Sequence, residues 1–181
     1  MARTHSILTQ GLVLKRINTG EADRVVTLLT PDLGKIVCLA KGARKLISSQ
    51  RGNLEPGNRV KVFLIPTKSM MLLTQSKLLT DLGMSWQNLS QLRRITQILE
   101  IVDRLIIEAE ADPQLYLQVG ELLTAIQTQT ASDTQVRNQL DMIIQNLGHP
   151  SLENTKHHTI NDYVTELVEH KLHSFEYLKV S

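Results

Sequence analysis

Phosphate chemistry is the first possibility this chain raises. Residues 35–45 read KIVCLAKGARK, an apolar stretch with Lys35 at its head, Lys41, Arg44 and Lys45 at its tail, and no acid. Long cations on a surface without competing carboxylates suit phosphate contact, because released counterions then drive binding. Lys15, Arg16, Arg24 and Arg51 supply further cations nearby in sequence. Gly42, inside the cluster, would let the backbone approach a ligand or simply turn.

Other chemistries find less. Glu21 and Asp23 would share a face if both lay on a strand, as a nuclease's metal pair might. The first 80 residues hold only two more acids, Asp32 and Glu55, and no nucleophile or base stands in an obvious relation to them. Pairing with nearby cations, or shaping a turn, is the expectation for both. His149, His157, His158, His170 and His173 cluster late in the chain, but without a thiolate their spacing matches no structural zinc pattern. They read as solvated or capping histidines, and no metal or other cofactor is expected. Cys38, the single cysteine, excludes an intramolecular disulfide and reads as a small buried hydrophobe.

The charge is divided along the chain. Residues 1–80 carry 13 Lys+Arg against 4 Asp+Glu, a balance of +9, whereas residues 81–181 carry 7 against 14, a balance of −7. Such a division suggests two domains with different partners, the basic one meeting a polyanion; lysines and arginines that only solubilise a small barrel are the plainer alternative. Apolar runs fall short of the ~18 residues a membrane span needs, and MARTHSILTQG lacks a signal peptide's apolar block. The expected location is cytoplasmic.

Period-two patterns place the cations on strands. SILTQGLVLKRI and EADRVVTLLT read as strands joined by the turn NTGE; PDLG is a second turn, and KIVCLA a third strand. A long polar connection over 43–58 with room for a short turn follows, then RVKVFLIP and SMMLLTQSKLL. In RVKVFLIP, Val60, Val62 and Leu64 alternate with Arg59, Lys61 and Phe63. Alternation could put Phe63 outside, but its hydrophobicity favours a packed site. Five short strands with mostly short connections suit a small antiparallel barrel. From Trp86 the period becomes helical, with a stripe of Leu89, Leu92, Ile95, Leu99, Val102 and Ile106. Further helices are expected after Asp112–Pro113, near Ser132–Asp133, and after Thr159, with Gly148 and Pro150 as a stop.

The run GLVLKRINTGEADRVVTLLTPDLGKIVCLAKGARK resembles the N-terminal signature of the RecO family. Its elements follow in order: a strand ending Lys–Arg, Gly-Glu-x-Asp, a strand ending LLT, Gly-Lys, and Lys-Gly-Ala-Arg. NLEPGNRVKVFL, LLTQSKLL, LEIVDRLIIEAEADPQLYLQVGELL and HKLHSFEYL are similar to later parts of the family, so the likeness runs over nearly the whole chain. Many members carry four zinc-binding cysteines after the LG that corresponds to residues 147–148. Here HPSLENTKHH stands in that place, and the zinc module is expected to be absent.

The resemblance implies an α+β protein: a five-stranded OB-fold β-barrel over 1–81, basic and DNA-binding, followed by an acidic α-helical domain over 82–181. It implies no enzymatic activity. It implies a recombination mediator that binds single- and double-stranded DNA, anneals complementary strands, and associates with RecR and the C-terminal tail of single-stranded DNA-binding protein to help load RecA. The expected DNA-binding residues are Lys35, Lys41, Arg44, Lys45 and Arg24, with Arg16 and Arg51 behind them. About five phosphates neutralised on a single strand would make log K fall with log salt at a slope of about −3 to −4. The acidic tail of a partner would need an apolar groove rimmed by cations, for which Arg93, Arg94, Arg104 and Arg137 are the candidates. A non-enzymatic adaptor whose barrel mainly docks a protein is the alternative.

Overall fold

The computed structural model describes residues 5–45, 48, 50–81, 89–106 and 112–168. Five strands come first: β1 (Ile7–Thr19), β2 (Asp23–Thr30), β3 (Gly34–Ala40), β4 (Arg59–Ile65) and β5 (Met71–Thr80). They close in the order β1-β2-β3-β5-β4, so no edge is left open. A short helix, α1 (Gln50–Asn53), lies between β3 and β4. This is the expected OB-fold barrel with helices after it.

One pairing differs from the all-antiparallel expectation. Cys38, Leu39 and Ala40 of β3 run parallel to Met71, Leu72 and Leu73 of β5. The connection between β3 and β4, α1 included, together with β4 itself separates the two strands, which is ample chain for a parallel closure. Strand β1 serves two neighbours, pairing β4 with its first half and β2 with its second, and its register shifts between Val13 and Lys15. Such an irregularity bends a strand round a barrel corner.

Consecutive residues of β1 feed two cores. Val13 joins Val26, Leu28, Cys38, Val60, Val62, Leu64 and Leu73 inside the barrel. Leu12 and Leu14, with Leu29 of β2, face outward into the core of the helices. Burial pushes the Cys38 thiol up to about 12, so it stays protonated in the barrel interior.

The helices are α2 (Leu89–Leu105), α3 (Pro113–Gln127), α4 (Asp133–Asn146) and α5 (Ile160–Leu167). Their starts follow local chemistry. Asp112 accepts from the N–H groups of Gln114 and Leu115 ahead of Pro113, and Ser132 with Gln135 forms a capping box. Thr159 accepts from the Asp162 N–H, and Gly148 (φ +89°) ends the stretch after α4. Along α2, Ile95, Leu99 and Val102 are buried as the stripe requires, as is Ile106 just after it, but Leu89 is exposed. Ile98 and Ile101, outside the stripe, are buried too, because α2 packs against β1 and α3. Residues 86–88, the acidic stretch 107–111 and the closing segment 169–181 lie outside the described residues.

Candidate nucleic-acid interface

Strand β3 leaves the barrel at Ala40 and turns at Gly42, whose φ is +66°. Two backbone contacts hold this turn against the β1–β2 connection. The Gly42 N–H donates to Asp23 Oδ1 at 2.7 Å, and the Arg44 N–H donates to the Ala22 carbonyl at 2.9 Å. Arg44 Nη1 also reaches the Gly20 carbonyl at 3.4 Å. Lys41, Arg44 and Lys45 are exposed, while Ala43 between them is fully buried. Ala43 is thus the pin and the three cations are what it presents.

Gly42 serves the turn. A Cβ built there would meet only the Lys45 aliphatic chain at 3.6 Å, an ordinary contact, so any penalty for a side chain is conformational. Gly42→Ala is expected to cost about 1 kcal/mol in chemical denaturation, and Gly42→Asn less, since asparagine tolerates this region better.

Arg51, on α1, is exposed as well. The other expected phosphate ligands have partners inside the protein. Arg24 keeps only 7% of its side chain exposed; it pairs with Glu55 at 3.2 Å and donates to the Arg51 carbonyl at 2.8 Å. Arg16 donates through Nε to the same Glu55 carboxylate at 2.7 Å and is half-buried. Burial, and after it the charge of Arg16, press the Arg24 guanidinium below its ordinary range, against the pull of Glu55. Lys35 reaches across to α2, pairing with Asp103 Oδ1 at 3.4 Å and bonding the Asp103 carbonyl. Arg24 is thus engaged with the segment of Arg51 and Glu55, and Lys35 with α2. Sequence could show their charge but not which faces were already occupied.

Glu55 is the residue whose role sequence reasoning missed. As the one acid in the connection 41–58, it gathers Arg16 and Arg24 and so anchors the segment that carries Arg51. Its isolation among cations was the available signal.

The barrel and helices also meet across Arg59. Its guanidinium lies over the Tyr116 ring at 5.5 Å from the centroid and crosses α3 at Gly120, where a Cβ would come within 1.6 Å of it. Between β1 and α2 runs a groove of about 290 Å³. Leu14, Pro56, Leu92, Ile95 and Leu99 give it an apolar floor; Lys15, Arg16 and Arg104 bring cations to it. Two acids line it too, Glu100 paired with Arg104 at 3.7 Å and Asp103 with Lys35. Of the tail-binding candidates, Arg104 lines this groove, Arg94 pairs with Asp133 at 2.8 Å, and Arg137 lines a different, polar pocket.

The acidic pair does not form a metal site. Glu21 sits in the turn and Asp23 opens β2, so they share no strand face, and Asp23 is engaged with Gly42. His157 donates through Nε2 to a Glu166 carboxylate oxygen at 2.6 Å and stacks on Tyr163 with ring centroids 5.8 Å apart. His149 is half-buried and His158 exposed; His170 and His173 lie outside the described residues. Among the described residues no three His, Cys, Asp or Glu side chains converge as metal ligands, and no helix is long and apolar enough to cross a membrane.

Residues 1–82 match the family model described as "Recombination protein O N terminal". The chain is 32% identical over 126 residues to the DNA repair protein RecO of Myxococcus xanthus, covering 69% of this chain and 52% of that protein. Against the DNA repair protein RecO of Synechocystis it is 30% identical over 158 residues, 87% of this chain and 58% of the relative. For Syntrophomonas wolfei the figures are 27% over 144 residues, 80% and 58%. The chain thus spans between half and three-fifths of the length of these relatives. A closed barrel that carries the matched signature, and a likeness to RecO proteins that continues into the helices, establish that this chain belongs to the RecO family.

Proposed function

We propose that this protein is a non-enzymatic recombination mediator of DNA repair, and that Lys41, Arg44, Lys45 and Arg51 hold the phosphates of single- and double-stranded DNA. The observation that carries this reading is the KGARK turn, pinned through its backbone to Asp23 and Ala22, which offers three exposed cations and is followed by a fourth on α1. Arg16 stands at the margin, Arg24 holds the segment that carries Arg51, and Lys35 is engaged with α2. Four phosphates on a single strand correspond to a slope of log K against log salt of about −3 from this surface. Contacts of this kind ignore base identity and leave the base edges free, which is what a protein that anneals complementary strands and then releases the duplex requires.

The groove between β1 and α2 is where an acidic peptide ending in apolar residues would fit, the chemistry of the C-terminal tail of single-stranded DNA-binding protein. Its apolar floor would take the end of the tail, and Lys15, Arg16 and Arg104 the acids before it. Lys15→Glu with Arg104→Glu is expected to weaken such a peptide at least about tenfold, read by fluorescence anisotropy, with DNA binding retained. With RecR, which helps the family load RecA, the decisive assay is annealing of strands coated with single-stranded DNA-binding protein. Stimulation by this chain, lost when Lys41, Arg44 and Lys45 are neutralised, supports the mediator. Annealing indifferent to those residues, with partner binding intact, would leave an adaptor instead.

A further inference from the structure

Lys61 of β4 and Lys77 of β5 are direct register partners, and both are exposed. Like charges placed opposite each other across a strand pair repel. Nothing local offsets them: β1, β4 and β5, three neighbouring strands, contain no Asp or Glu, and neither lysine makes an ion pair within the described residues. Gln10 of β1 continues the row beyond Lys61. The next row outward is Leu8–Phe63–Gln75. Phe63 was expected to pack, yet its side is the barrel's exterior and it is 39% exposed. Among the described residues, the helices pack on β1 and β2 through Leu12, Leu14 and Leu29 and leave this row uncovered.

From this juxtaposition we propose a second nucleic-acid contact on the outer face of β4 and β5, with Lys61 and Lys77 meeting phosphates and Phe63 offering a ring for a base. It rests on the DNA-binding reading above and extends it from the end of β3 to the neighbouring strands β5 and β4. The face has the two ingredients of sequence-tolerant single-strand binding, facing cations without acids and an exposed aromatic one row away. The chain also reaches it from the first surface: α1, which carries Arg51, donates from Gln50 and Asn53 to the carbonyls of Thr74 and Ser76 on β5, the residue next to Lys77. A strand held on KGARK and Arg51 thus has a route round the barrel, and a site of this kind lengthens the stretch held open for pairing.

The test compares Lys61→Gln/Lys77→Gln, Phe63→Ala and Lys41→Gln/Arg44→Gln/Lys45→Gln in the full chain, using labelled oligo(dT) at several salt concentrations. The Lys61/Lys77 variant is expected to lower the magnitude of the salt slope by about 1.4 and to weaken binding at least about tenfold at low salt. Its melting temperature should equal or exceed the parent's, because a repulsive pair is removed. Phe63→Ala should weaken binding without changing the slope. An unchanged slope in the Lys61/Lys77 variant, with the triple variant impaired, would overturn this contact and leave the first surface standing. Unchanged binding in both variants would instead remove the DNA-binding reading itself. Normal oligo(dT) binding with lost binding of poly-glutamate would assign the face to an acidic protein and likewise overturn the proposal.

Discussion

Replacing Lys41, Arg44 and Lys45 together by glutamine is expected to weaken single-strand binding about 500-fold at about 50 mM salt, but only about fourfold near 500 mM. Each cation contributes about 0.7 to the slope of log K against log salt, so the slope should lose about 2 in magnitude. The three side chains are exposed and their turn is held by backbone groups and by Ala43, which the substitutions leave in place. Stability should therefore change by less than about 0.5 kcal/mol. The effect should be the same for oligonucleotides of different sequence, since phosphates carry no base identity. Titration by anisotropy across a salt series checks all of this; a parental slope in the triple variant would defeat the assignment.

Glu55→Ala is expected to have the largest effect on stability. It would leave Arg24, with 7% of its side chain exposed, beside Arg16 and without a counter-charge. Breaking a buried pair costs about 3–5 kcal/mol, but the Glu55 side chain keeps 19% exposure, so solvent relieves part of this. A loss of about 2–3 kcal/mol follows, which for a chain of this size lowers the melting temperature by about 5–10 °C. Adding Arg24→Met should recover much of the loss, because an apolar side chain no longer needs the carboxylate. Recovery separates this account from a general intolerance at position 55. Denaturation of the three proteins in parallel decides it, and a Glu55→Ala variant as stable as the parent would rule the account out.

The strands were legible because alternation is a local signal. Val60, Val62 and Leu64 point inward with Arg59, Lys61 and Phe63 opposite, as their period dictates. Helix starts were legible for the same reason: Asp112 and Ser132 satisfy N–H groups within three residues of themselves. The parallel β3–β5 closure was not, since register between distant strands depends on the whole circuit of the barrel. Nor was the exposure of Phe63. Hydrophobicity argued for packing, but the helices cover the β1–β2 side instead, and that choice is made by Leu12, Leu14 and Leu29 together.

By itself, the sequence determined the barrel, the helices after it, the charge division and the family, because each rests on nearest neighbours or on ordered motifs. Only the tertiary structure decided what each cation is free to do. Lys35 and Lys41 bracket one short strand, yet one is spent on Asp103 across the seam and the other stands in solvent. A charge is available to a ligand only where no opposite charge in the fold has reached it first, and that partner can lie 68 residues away.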